Sequence, residues 1–194
     1  MSAVFASAQP LRQLAQAIEV TGQVVAGIAD DQWHSPTPCS EWDVADVTRH
    51  LVDGNYAFAA IVTGQPRESA ARAPGSAAGL PAAYRAAGAA LTEAFGQPGS
   101  LERIVAMPIG EVPGIAALHL RVTELLTHGW DLATATGQDV EFPGDLAAAE
   151  LAFTRAQLGN VPPGRFPFAP PRQVAEDAPA IEQLVACLGR DVGA

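Results

Sequence analysis

Four stretches of this chain repeat apolar residues at the spacing of a single helix face, and Pro- and Gly-rich segments separate them. In the first, Leu11, Leu14, Ile18, Val25 and Ile28 mark a helix over residues 8–29. In the second, Val44, Val47, Leu51, Phe58 and Val62 mark a helix from Glu41 to about Thr63, with Ser40 as its N-cap and Asp43 completing a capping box. Gly54 lies on that stripe, where a missing side chain permits close packing. A third helix is expected from Pro81 to Phe95, with Pro81 suited to the first turn. A fourth runs from Ile115 to Thr136 and stops at Gly137, a residue that accepts the left-handed cap conformation. A helix with one apolar stripe must bury it against another element. Four such helices bury theirs together, so the expected fold is an all-α four-helix bundle.

The remaining segments are shorter. Residues 64–80 form a connector of small residues, Gly and Pro, expected to be mobile at its tip. Leu101–Met107 reads as a short extended piece, punctuated by Pro108, Gly110, Pro113 and Gly114. A helix is expected from Pro143 to Leu158. Six prolines between residues 159 and 179 then make an irregular strap, and a last helix, Ala180–Leu188, returns through Ile181, Leu184, Val185 and Leu188. The 194 residues suit one core. The expected organisation is a bundle domain over 1–158, with the strap and terminal helix of 159–194 packed upon it.

Charge narrows the function. A formal net charge of −10 is the opposite of a nucleic-acid or anionic-membrane footprint. No run of 18 apolar residues marks a membrane span. The opening MSAVFASAQP lacks a basic segment followed by an apolar one, so a cytoplasmic protein is expected. Cys39 and Cys187 are too few for a disulfide framework and read as small buried hydrophobes. Cys39 also stands beside an expected helix start, where a thiolate is favoured.

The chemistry concentrates in HLRVTELLTHGWDLATATG. Glu124 and His128, four residues apart on a helix, share a face about 40° wide that is otherwise apolar. His50 borders the buried stripe of the second helix. If the second and fourth helices are neighbours, His50, Glu124 and His128 supply two imidazoles and one carboxylate, a donor set that binds zinc and leaves a fourth position open. Iron and other divalent ions accept the same donors. The competing arrangement is a buried His–Glu hydrogen-bonded pair with His50 elsewhere. Asp46 and Asp53, about one turn either side of His50, and Asp131, near His128, are candidates to orient the imidazoles. Asp131 can instead meet a backbone group or Arg121. Arg121 can pair with Glu124, receive a substrate carboxylate, or form a surface salt bridge. His119 faces away from His128, His34 lies in a polar loop expected in solvent, and Trp42 and Trp130 are expected to pack. Gly129 is expected to allow a close contact.

The blocks SPTPCSEWDVADVTRHLV and LHLRVTELLTHGWDLATATG resemble the two signature regions of the mycothiol-dependent maleylpyruvate isomerase N-terminal domain family, within the DinB/YfiT-like group of metal-binding four-helix bundles. The ending FAPPRQVAEDAPAIEQLVACLGR resembles uncharacterised actinobacterial members of it. The resemblance implies a divalent ion, zinc foremost, on His50, Glu124 and His128. It also implies a low-molecular-weight thiol such as mycothiol as cosubstrate, with an electrophilic small molecule as its partner. The thiolate adds to an electrophilic carbon; an isomerase expels it after bond rotation, and a transferase retains it. A non-catalytic metal-binding or sensor protein and a metal-dependent hydrolase are the other readings. The family's isomerase carries a further C-terminal domain, where this chain has the strap and one helix. Related bundles are monomers or homodimers.

Overall fold

Each amphipathic stretch becomes a helix, and the helices close around one core. The computed structural model describes residues 2–107, 110–158 and 169–193, with side chains from residue 8 onward. Its helices are α1 (Ser2–Ala26), α2 (Val44–Val62), α3 (Leu80–Phe95), α4 (Gly114–Thr136), α5 (Gly144–Leu158) and α6 (Ala180–Cys187). Packing runs α1–α3–α2–α4 and back to α1. Helices α1 and α2 therefore sit diagonally across the bundle, and α2 and α4 are neighbours. Val24, Val47, Leu51, Leu91, Phe95, Leu118, Val122 and Leu125 fill the interior from all four helices. Burying a side chain of this kind contributes about 1.5–3 kcal/mol. The fold is the predominantly helical bundle that the stripes imply. No helix among the described residues is long and apolar enough to cross a membrane.

Two helix starts differ from expectation. Helix α1 begins at Ser2 and runs through Pro10. Helix α2 begins at Val44 rather than Glu41, because Asp43, not Ser40, is the N-cap. The Asp43 carboxylate accepts the Asp46 amide at 2.8 Å, and the Asp46 carboxylate accepts the Asp43 amide at 3.4 Å, a reciprocal box that satisfies two end donors. Residues 40–42 are held in a turn instead, with the Trp42 amide donating to the Cys39 carbonyl at 2.8 Å. Gly137 ends α4 in the left-handed region, at φ 66°.

The extended piece is half of a hairpin that the punctuation concealed. Strand β1 (Ile104–Met107) pairs antiparallel with β2 (Gly110–Pro113), in register Val105 with Val112. Pro108 lies outside the described residues. The hairpin also starts α4: the Gly114 and Ile115 amides donate to the Arg103 and Leu101 carbonyls, both at 2.8 Å, in place of a side-chain cap. The connector before α3 is held by α2, since Asp53 accepts the Ala73 amide at 2.6 Å and Arg49 donates to the Gly75 carbonyl at 3.2 Å. Helix α6 packs on α5 and α4. Of the strap, Pro162, Pro163 and Pro167 lie outside the described residues.

Candidate metal centre

Helices α2 and α4 bring His50, Glu124 and His128 together. The His50 and His128 ring centres are 5.0 Å apart, edge to face, and His50 Nε2 is 3.8 Å from Glu124 Oε2. Trp42, just before α2, packs on both imidazoles, with ring centres 4.7 Å from His50 and 5.9 Å from His128. The His128 ring is buried, while His50 and Glu124 keep partial access to solvent. Burial pushes the His50 pKa down to about 4, with Glu124 opposing the shift, so at neutral pH its ring is an uncharged donor.

Behind these three groups stands a buried supporting layer. Arg121, 0% exposed, donates through Nη1 to Glu124 Oε2 at 2.6 Å, through Nε to Asn55 Oδ1 at 2.8 Å, and through Nη2 to the Leu51 carbonyl at 2.7 Å. Gly54 makes the room: a Cβ there would run into the guanidinium. Burial pulls the Arg121 pKa down, and Glu124 opposes it. Burial alone would raise the Glu124 carboxyl, but Arg121, then His50 and His128, hold it below its ordinary range. A guanidinium with every nitrogen engaged inside the bundle is neither a surface salt bridge nor a receiver for a substrate carboxylate. Both expectations for Arg121 are corrected on that ground.

Asp131, fully buried, accepts from His128 Nδ1 at 2.9 Å. Its arginine partner is Arg190 from the C-terminal segment rather than Arg121, donating through Nε to Oδ1 at 3.1 Å and through Nη2 to Oδ2 at 2.9 Å. Burial would raise the Asp131 carboxyl, and the hydrogen bonds from His128 and Arg190 lower it below its usual value. Asp46 and Asp53 turn elsewhere. Asp46 is spent on the α2 cap and on Arg49 at 3.0 Å, and Asp53 on the connector. Neither is placed to orient His50, because the helix start and the connector claim them first.

The other candidates separate cleanly. His119 pairs through Nδ1 with Glu150 Oε1 at 2.8 Å and stacks on Phe153 of α5, away from the centre. His34 is 84% exposed and pairs with Asp43. Gly129 faces α1, where a Cβ would meet Thr21 Oγ1 at 2.7 Å. Cys39 and Cys187 are half-buried, and burial raises both thiols. For Cys39 this favours the small buried hydrophobe over the thiolate alternative, and α2 starts several residues further along. Sequence reasoning missed Arg190 and Asn55. An arginine just past an apolar terminal helix was the only available sign of the former.

The donor set suits a divalent ion. Two neutral-capable imidazoles and an ionised carboxylate are borderline donors of the zinc type, and a carboxylate has lone pairs beyond the one Arg121 uses. Donors about 2.1 Å from a tetrahedral ion lie roughly 3.4 Å apart, so the His50–Glu124 separation is a few tenths of an ångström wide. Among the described residues, no group of three or more His, Cys, Asp or Glu side chains is closed to ligating distances. The groups converge without forming a finished cage.

Residues 14–133 match the family model described as the mycothiol maleylpyruvate isomerase N-terminal domain. The chain belongs to this family. An uncharacterised protein of Mycobacterium tuberculosis, from strains CDC 1551 / Oshkosh and ATCC 25618 / H37Rv, is 39% identical over 185 residues, covering 94% of this chain and 98% of the relative. The crystal structure of the mycothiol-dependent maleylpyruvate isomerase superposes with a TM-score of 0.60 at 14% identity, covering 75% of this chain and 68% of that one. A histidine-to-alanine variant of the same isomerase gives 0.61 at 12% identity, with the same coverage. At these identities the structures establish the shared fold. His50, Glu124 and His128 all fall inside the family segment, and Arg190 falls outside it.

Proposed function

We propose that His50, Glu124 and His128 hold one divalent ion, zinc foremost, and that the protein is a thiol-dependent transferase or isomerase using mycothiol or a similar thiol. The observation that carries this reading is the meeting of two imidazoles and one carboxylate across α2 and α4, with each helix bearing its own part of the set. Membership in a family named for a mycothiol isomerase supplies the thiol. A bound divalent ion would favour the thiolate form of a thiol that reached it.

The chain's own residues prepare the centre. Asp131, as an acceptor, favours the proton on His128 Nδ1, so that the neutral ring keeps its lone pair on Nε2. Arg121 keeps Glu124 ionised and fixes its carboxylate. Trp42 covers the imidazoles on one side and limits water there. The partial exposure of His50 and Glu124 leaves an approach for a small molecule.

The test is metal analysis of the purified protein, followed by incubation with mycothiol and a panel of electrophiles that includes maleylpyruvate. The expected result is about one divalent ion per chain and a conjugated or isomerised product. Stoichiometric metal without turnover would replace the enzyme reading by a non-catalytic metal-binding one. No bound metal defeats the central claim.

A further inference from the structure

We infer that Arg190 is a positioning residue of this centre: its guanidinium fixes the Asp131 carboxylate, which in turn fixes the His128 ring. The inference rests on the proposed metal centre and extends it to a part of the chain outside the family segment.

The geometry is that of a clamp. Arg190 takes both Asp131 oxygens, Nε to Oδ1 at 3.1 Å and Nη2 to Oδ2 at 2.9 Å, while the same Oδ2 accepts His128 Nδ1 at 2.9 Å. A carboxylate held by two parallel N–H donors has its plane set. Without the fork, the terminal torsion of Asp131 is broad and only roughly two-fold, so Oδ2 is no longer fixed beneath the imidazole. The three groups are all buried, which makes the pairing consequential. A buried carboxylate that loses its cation seeks another partner or another rotamer.

Helix α6 delivers the arginine. Ile181, Leu184, Val185 and Leu188 are buried and hold α6 against α4 and α5. The chain then reverses at Gly189, with φ 86°, where a Cβ would press on the Ala169 backbone. The Arg190 amide donates back to the Val185 carbonyl at 2.9 Å, and Nη1 donates to the Leu188 carbonyl at 3.3 Å. From there the side chain reaches Asp131 on α4. The terminal helix therefore does more than cover the bundle. It carries the part that sets the orientation of a ligand ring.

The test compares Arg190→Met and Arg190→Lys with Leu184→Ala, which loosens α6 without touching the clamp. Zinc affinity is read by competition with a chromophoric chelator, and the His128 tautomer in metal-free protein by long-range proton–nitrogen NMR. Loss of an outer partner of a ligating histidine weakens metal binding about 10–100-fold. Arg190→Met, which acts through that partner, should show a loss toward the lower end of this range together with a mixed His128 tautomer. Arg190→Lys, which keeps the charge but not the fork, should fall between. Leu184→Ala, which keeps the guanidinium, should lower Tm while shifting affinity and tautomer far less than Arg190→Met does. If Arg190→Met lowers Tm alone, Arg190 is a staple for α6 and the inference is overturned. If the wild type binds no zinc, the metal reading fails separately, and the tautomer in metal-free protein alone decides whether the clamp acts.

Discussion

Helix α4 carries two histidine–carboxylate pairs, and they differ in kind. Near its start, His119 meets Glu150, whose other oxygen accepts the Thr123 hydroxyl at 3.1 Å, and the ring stacks on Phe153. Glu150 is fully buried, and the pair sits between α4 and α5. Further along, His128 meets Asp131, but here a second imidazole and a second carboxylate arrive, and solvent reaches part of the group. Similar residue types thus give an isolated pair in one place, itself partly open to solvent through His119, and a convergent donor set in the other. The difference lies in what the facing helix presents: Phe153 from α5, His50 from α2. A histidine beside a carboxylate says little by itself, and one whose ring also meets a second imidazole next to another carboxylate says much more.

The largest expected effect would break this comparison directly. His50→Ala should remove most bound divalent metal, while His119→Ala should leave the stoichiometry of the wild type. Metal analysis after dialysis reads both. Equal loss in the two variants would mean that the distinction between the pairs has no bearing on metal.

The same contrast explains what was legible in the sequence. The bundle followed from apolar spacing in α1 to α4, because every buried stripe needs a partner. Glu124 and His128 could be placed on one face because helical geometry is local. His50 required only that α2 and α4 be neighbours. What could not be read is set by contacts distant in sequence. Arg190 reaches Asp131 across 59 positions, and nothing local indicates it. Asp46 and Asp53 were equally good partners for His50 by spacing, until the α2 cap and the Ala73 amide claimed them. Arg121 looked like a surface charge because arginine rarely goes fully inside. The missing Cβ of Gly54 was the sign that it does. The β2 strand was hidden by Gly and Pro residues that mark a turn as readily as a hairpin edge.

The supporting layers offer a second, smaller contrast. Arg121→Met should destabilise the protein by about 3–5 kcal/mol, since it strips a buried charge partner from Glu124 and leaves Asn55 Oδ1 and the Leu51 carbonyl without that donor. Thr123→Val, which removes one of the donors to buried Glu150, should cost only about 1–3 kcal/mol. Urea unfolding of both variants measures the difference. Equal costs would show that the Arg121 layer is no more committed than the isolated pair.

A third histidine–carboxylate pair completes the series at the solvent end. His34 and Asp43 are 3.0 Å apart, and Asp43 also caps α2. Slight burial would raise the Asp43 carboxyl, but the hydrogen bonds from His34 and the Asp46 amide bring it below its ordinary value. A carboxyl whose folded pKa lies below its unfolded one contributes stability above the unfolded value, and that contribution fades as pH falls through the folded value. Asp43→Ala should therefore cost about 1 kcal/mol at neutral pH, the usual worth of an N-cap. The gap from the wild type should narrow as pH drops below about 4, where the unfolded carboxyl begins to take up its proton while the native one still resists it. Paired urea unfolding curves from pH 7 to pH 3 measure it. A gap that stays constant over that range would mean that the neutral side chain caps as well as the charged one. This exposed pair would then contribute through geometry alone, unlike either pair on α4.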